Sequence, residues 1–474
     1  MIRWPNFKSK SDHLTNMKTQ ISRKEFMAAS ALAGLGLMTG CAGALARRRI
    51  PADGKLRHAC IGVRGMGGND LESFKSHPRL EIVAICDVDK NNLAEAAKSV
   101  PEARQYTDWR ELLAGERDRI DSVNVAVPDH MHAIIALAFI RAGKNVYCQK
   151  PLAHDVAECR ALARAAKKAG VVTQLGTQFA AGMGDRLGVQ LLRQGIVGQV
   201  NRVVLCSNRP GAEFYRLAGP RPAQGSPVPP ELDWNLWLGT APERPYAPKI
   251  YHPTIWRSWQ DFGTGWSGDI GCHIFDAVWK GLGLTAPVSV IAEVQDSWRN
   301  SPERRADTWP QSNHITWTFP GSDITGGREL PVEWFDGDKF PPPEVQKIAL
   351  ADSRVPEYPA ESAMVIGSEG AMLLPHQSMP ILLPREKFKN APRSIEKGPT
   401  HYHRFVDACL GGEPTASHFL QTGPMAEAII LGTVAIRVPG QLLQWETKSM
   451  RIPNHPEAER LLRRSYRAGW EVSL

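Results

Sequence analysis

The sequence predicts an α/β chain: a doubly wound parallel sheet in the first half, then a second domain of different texture. Three observations carry that reading. Short apolar runs at 59–63, 80–86, 120–127, 145–148 and 171–175 alternate with helix-like segments at 91–98, 131–142 and 156–169, as strands joined by crossover helices do. A glycine cluster opens the first strand-to-helix turn. After about residue 175 the alternation gives way to strands at 200–207, 288–294, 314–319 and 363–366, separated by loops rich in proline and tryptophan.

At 474 residues the chain has room for two domains and a leader. With 42% hydrophobic and 22% charged residues it is a globular composition rather than a disordered one. Beyond the N-terminal region no run approaches the roughly 18 apolar residues of a spanning helix. Half of the net charge of +8 sits in residues 1–46, and no basic stripe interleaved with aromatics follows, so nucleic acid is not an expected partner. The eight cysteines are scattered without a CxxC pair, which points to neither a disulfide framework nor a zinc site. For an exported protein this suggests folding before export.

Residues 1–46 read as a signal peptide. Ser22-Arg23-Lys24-Glu25-Phe26 precedes an apolar, small-residue stretch at 28–38 and resembles a twin-arginine signal with Lys24 in place of the second arginine. Two processing sites compete: Ala44-Leu45-Ala46 fits ordinary cleavage, while Met38-Thr39-Gly40-Cys41 reads as a lipobox that would anchor the chain at Cys41. In this reading residues 1–16 are dispensable, Met17 is an alternative start, and the protein is periplasmic. A linker at 47–55, a nucleotide-binding domain at 56–175 and a second domain at 176–474 follow.

The first strand-to-helix turn is Gly62-Val63-Arg64-Gly65-Met66-Gly67-Gly68. Glycines there permit a tight turn and bring backbone N–H groups close to a pyrophosphate at a helix N-terminus. The usual GxGxxG register places glycines at 62, 64 and 67. Position 64 is arginine, which leaves the close approach to Gly65. Asp87 ends the second run, twenty residues after Gly67. A carboxylate there accepts hydrogen bonds from ribose hydroxyls and repels a 2′-phosphate, so the expected cofactor is NAD rather than NADP.

Pro128-Asp129-His130-Met131-His132 follows the run at 120–127, and Cys148-Gln149-Lys150-Pro151-Leu152 ends and follows the run at 145–148. Further on come Asn208-Arg209-Pro210, Leu232-Asp233-Trp234-Asn235-Leu236-Trp237-Leu238-Gly239 and Asp261-Phe262-Gly263-Thr264-Gly265. With these motifs the chain resembles the Gfo/Idh/MocA family (glucose-fructose oxidoreductase, inositol dehydrogenase and relatives) from residue 56 to its end. That family usually reads Glu-Lys-Pro in the second segment; here Gln149 replaces the glutamate. The resemblance implies a Rossmann domain, then a C-terminal α+β domain with an open, mainly antiparallel sheet, through which relatives self-associate as homo-oligomers. It also implies NAD chemistry on a carbinol or keto group, with Lys150 beside the nicotinamide. Gly62, Arg64, Gly65, Met66, Gly67, Asp87, Pro128, Asp129, His132, Gln149 and Lys150 are the expected cofactor residues. An ammonium at a strand end stabilises a developing alkoxide.

Asp269 and His273 are four apart and share one helix face, with Asp276 on the same face; they match the family's Asp-x-x-x-His pair. Histidine is suited to take a hydroxyl proton, with Asp269 orienting the imidazole or binding a neighbouring hydroxyl. His130 and His132, with His154 and Cys148, lack metal-site spacing, so no metal is expected. Among the crowded Trp234, Trp237, Trp256, Trp259 and Trp266, the candidates for stacking on sugar faces are Trp259 and Trp266, and Arg257 for binding hydroxyls or a carboxylate. That the tryptophans staple loops to the core is an equal alternative. Segments 296–312 and 331–360 read as loops, and His401-Tyr402-His403 opens a helix to Cys409.

Three functions fit. The first is an NAD-dependent oxidoreductase of a sugar, polyol or glycoside. The second follows from export: retained NAD is regenerated within each cycle, by coupled sugar oxidation and reduction or by redox-neutral glycoside cleavage through a transient keto sugar, as in NAD-dependent glycoside hydrolases that resemble this family. The third is a non-enzymatic sugar or nucleotide sensor.

Overall fold

The computed structural model describes residues 53–209 and 219–474. The expected leader, with Met17 and Cys41, lies outside the described residues, as does Pro210.

Six strands form the first sheet: β1 (Leu56–Ile61), β2 (Leu80–Cys86), β3 (Arg104–Tyr106), β4 (Ser122–Val125), β5 (Asn145–Cys148) and β6 (Thr173–Leu175). Their order is β3-β2-β1-β4-β5-β6 and every pairing is parallel. The helices between them are α1 (Met66–Lys75), α2 (Lys90–Ala97), α3 (Trp109–Glu116), α4 (Asp129–Arg141) and α5 (Val156–Ala169). Strand order reverses between β1 and β4, which opens a crevice at the carboxyl ends of those strands. The turns after β1, β2, β4 and β5, which hold the expected cofactor residues, all open there. The central strands are largely buried on both faces and rich in apolar residues, with His58, Ser122 and Asn124 as buried polar exceptions. Edge strand β3, Arg-Gln-Tyr, has no apolar run and was not expected.

After α6 (Met183–Arg193) comes an eight-stranded sheet in the order β13-β12-β11-β7-β10-β9-β8-β14. Its strands are β7 (Val200–Ser207), β8 (Ser289–Val294), β9 (Asn313–Phe319), β10 (Leu330–Asp336), β11 (Glu361–Gly367), β12 (Gly370–Pro375), β13 (Ile381–Leu383) and β14 (Leu443–Gln444). Only β7–β10 is a parallel pairing. Two expected loops are thereby corrected. The stretch 331–360 holds β10, a central strand, and the helix Pro343–Leu350; the stretch 296–312 holds two short helices, Asp296–Arg299 and Pro302–Asp307. Proline is rare in central strands, but pairing with β7 begins only at Val332, so the missing N–H of Pro331 costs nothing on that side.

Helices α7 (Gly265–Leu282) and α9 (Phe419–Arg437) join the two sheets, with α8 (His401–Cys409) preceding α9. Helix α9 packs on α5, on α7 and on β8 and β9. It is apolar enough in length and composition to cross a membrane, yet 83% of its most apolar stretch is buried in the protein, as expected of a core helix that is hydrophobic all round. Gly271 lets α7 and α9 approach closely; a Cβ there would meet Ile429 Cγ2 at 3.1 Å. The register of α7 is thus set by the core, and with it the placement of Asp269 and His273.

Candidate active site

The crevice has a volume of about 380 Å³. Its floor is the glycine turn. Gly62 has φ +79°, and a Cβ there would strike Ala126 O at 2.2 Å, so only glycine lets β1 and β4 close up. Gly67 is as constrained: its Cβ would lie 2.0 Å from Gly62 O. Gly65 differs. It caps α1 at φ 58°, ψ −120°, and its missing Cβ points into open space with no atom within 4 Å. The turn therefore presents bare backbone to the crevice at Gly65. Arg64 is exposed at the rim and Met66 lies beside it. This is a cradle that fits a pyrophosphate on the N-terminus of α1.

Asp87 lines the crevice at the end of β2. Its Oδ2 accepts from Val63 N–H at 3.1 Å and its Oδ1 from Asp89 N–H at 3.0 Å. Burial raises its pKa from the usual value, and those hydrogen bonds oppose the rise. On the opposite wall, residues 252–257 complete the crevice. His252 Nε2 sits 3.2 Å from Asp89 Oδ2 and clasps that wall to the end of β2.

At the other end lie Pro128, Asp129, Gln149 and Lys150. Lys150 Nζ donates to Asp269 Oδ1 at 2.8 Å, and Arg257 Nε lies 3.9 Å from Asp269 Oδ2. Asp129, almost fully buried, accepts from the Thr264 amide at 3.1 Å and its hydroxyl at 3.0 Å. Burial, reinforced by the Asp269 charge, pushes Asp129 up to about 7. The chain's last segment braces this corner: Arg464 donates to His130 O at 2.5 Å and to Glu158 at 2.8 Å.

His273 is half-buried on the α7 face that carries Asp269. Burial holds its pKa well below 6.5, with the Lys150 charge acting in the same direction. Its Nδ1 is buried without a hydrogen-bond partner among the described residues, and its ring lies edge-on to His376 at 5.5 Å. Asp269 thus pairs with Lys150 and lies beside Arg257, and its charge opposes the lowering of the His273 pKa. Asp276 is engaged elsewhere, accepting from Lys280 Nζ at 2.5 Å.

A profile described as "Oxidoreductase family, NAD-binding Rossmann fold" matches residues 56–177, and one described as "Oxidoreductase family, C-terminal alpha/beta domain" matches residues 189–319. Together they span more than half of the chain. The chain belongs to the Gfo/Idh/MocA oxidoreductase family. A D-apiose dehydrogenase from Paraburkholderia graminis is 29% identical over 144 residues, 30% of this chain and 38% of that protein. A glycosyl hydrolase family 109 protein from Shewanella pealeana is 27% identical over 205 residues, 38% of this chain and 44% of that protein. The chain thus spans less than half the length of these two relatives. The WlbA dehydrogenase from Bordetella pertussis, solved with NADH and UDP-GlcNAcA, shares the fold at a TM-score of 0.55 and 15% identity, over 83% of this chain and 99% of that one.

Three expected contacts of this Gfo/Idh/MocA chain need correction. Trp259 is 1% exposed and donates its indole N–H to Ile250 O at 2.9 Å, packed among Tyr251 and Phe262. It staples the 250–262 segment. Trp266 is buried, donates to Ser207 O at 2.9 Å and so ties α7 to the end of β7, with Arg209 over its ring. His132 lies behind the crevice: its ring nitrogens sit 2.6 Å from Pro151 O and 2.8 Å from Val127 O, bracing both loops. Arg257 does line the crevice, its guanidinium 4.2 Å from the Trp256 ring centroid. Residues not foreseen are Thr264, His252, His376 and Asp70; Thr264 lies in the Asp261–Gly265 motif with no role expected of it, and the other three carry no local sequence signal.

Proposed function

We propose that this chain is an NAD-dependent oxidoreductase acting on a carbinol or keto group of a sugar, polyol or glycoside. The observation that carries the reading is the Lys150–Asp269 ion pair, set at one end of a crevice whose other end is the Gly65 cradle. Gly62, Gly65 and Gly67 would hold the pyrophosphate, Asp87 the adenosine ribose, and Pro128, Asp129 and Gln149 the nicotinamide end. Bound NAD would supply the acceptor for the carbinol hydrogen. Lys150, fixed by Asp269, holds the reacting oxygen and stabilises its developing negative charge. His273, kept neutral by burial, takes the hydroxyl proton. Arg257 binds a neighbouring hydroxyl or carboxylate. Mass spectrometry of nucleotide released from purified protein, followed by reduced-nicotinamide absorbance across a sugar panel, tests this. Full turnover by Lys150→Ala and His273→Ala on an identified substrate would overturn it.

The glycosyl hydrolase family 109 relatives favour a second reading, redox-neutral glycoside cleavage with retained NAD. It predicts aryl-glycoside hydrolysis without net accumulation of reduced nicotinamide. Retention accords with export, which we propose from the N-terminal signal, since no NAD pool exists outside the cytoplasm. Self-association through the open sheet completes the reading and is tested by light scattering.

A further inference from the structure

Asp70, on α1, is a carboxylate with 0% exposure whose hydrogen-bond partners among the described residues are all neutral. The Gln149 amide donates to both of its oxygens at 2.9 Å, the Tyr402 hydroxyl to Oδ1 at 2.7 Å and the Asn124 amide to Oδ2 at 3.5 Å. Burying a carboxylate without a cation is costly, and burial pushes Asp70 up to about 6, against the pull of those bonds. The Gln149 side chain so held is boxed in, since a Cβ on Gly176 would come within 2.6 Å of its Oε1. That same Oε1 accepts the Lys150 backbone N–H at 3.2 Å. A line of hydrogen bonds therefore runs from Asp70 through Gln149 to the backbone of the residue that pairs with Asp269.

The pair also explains the departure from Glu-Lys-Pro. A glutamate at 149 would set two carboxylates against each other in a buried space, where both cannot stay ionised. Glutamine donates to Asp70 on one side and accepts from Lys150 on the other. We propose that Asp70 is the positioning residue of the Lys150 loop, holding Gln149 in place and carrying the negative charge that Glu-Lys-Pro chains hold at 149. This rests on the reading that Lys150 faces the substrate.

The test is a cycle of four purified proteins: wild type, Asp70→Asn, Gln149→Glu and the double variant. Each is measured for unfolding temperature at pH 5 and pH 8 and for kcat against pH. Gln149→Glu should lower the unfolding temperature and cut kcat by about tenfold at pH 8. Both losses should shrink at pH 5, where one carboxylate takes a proton. The double variant should regain both, because an asparagine at 70 donates to a glutamate at 149. Additive losses in the double variant, or a Gln149→Glu loss independent of pH, would overturn the proposal. Coupling in unfolding temperature with no turnover by the wild type would support the pair and overturn the oxidoreductase reading instead.

Discussion

Lys150 and Asp269, 119 residues apart in sequence, meet at 2.8 Å and join the end of β5 to the first turns of α7. Both side chains are largely buried, at 13% and 6% exposure. Removing one partner of such a pair leaves the other charge uncompensated in a poorly hydrated place. Lys150→Met should therefore act twice. It should cut kcat/KM by about a hundredfold or more, the scale of a lost oxyanion donor, and it should lower the unfolding temperature. Lys150→Arg should recover stability more than rate, because a guanidinium keeps the charge but displaces the donor.

His273 should give kcat its acid limb. A base must be unprotonated, and burial and the Lys150 charge hold His273 well below 6.5. The limb that His273 contributes should then lie well below pH 6.5, where the imidazole takes a proton, separate from any step near pH 7 due to Asp129. His273→Asn should lower kcat by about a hundredfold to ten-thousandfold and remove that limb. A profile unchanged by the substitution would assign the proton to another group.

The glycine turn separates binding from folding. At Gly65 an added methyl meets nothing but adopts a backbone region that L-residues rarely occupy, at a cost of about 1–3 kcal/mol. Gly65→Ala should fold and lose NADH affinity, read by nicotinamide fluorescence. At Gly67 the methyl would strike Gly62 O at 2.0 Å. Gly67→Ala should fail in stability before binding can be measured.

Trp259 tests the staple. Trp259→Phe loses the hydrogen bond to Ile250 O and should destabilise the protein by about 1–3 kcal/mol while leaving sugar KM within about twofold, a change of less than 0.5 kcal/mol. Arg257→Lys should do the reverse, since a lysine cannot reproduce the guanidinium's fork.

The first sheet was legible because strands buried on both faces are rich in apolar residues, so β1, β2, β4 and β5 announce themselves despite the buried His58, Ser122 and Asn124. Strand β3 escaped because an edge strand has no such constraint, and β10 because Pro331 imitates a break. In the site, Gly65, Asp87, Lys150, Asp269 and His273 were marked by spacing or motif. Asp70 was not: an aspartate at the fifth position of a helix looks the same whether it faces water or a buried amide. Trp259 and Trp266 stayed ambiguous for a related reason, because a ring that packs on a sugar and one that packs on Tyr251 have the same apolar character.

The His252–Asp89 contact has a kinetic meaning. His252, Pro253, Thr254, Trp256 and Arg257 line the crevice, and the contact holds them against the turn after β2. Parting it should widen the way out for a dinucleotide and shorten its residence time. His252→Ala should hasten escape in a stopped-flow chase while slowing entry little, turning a tenant cofactor into a visitor.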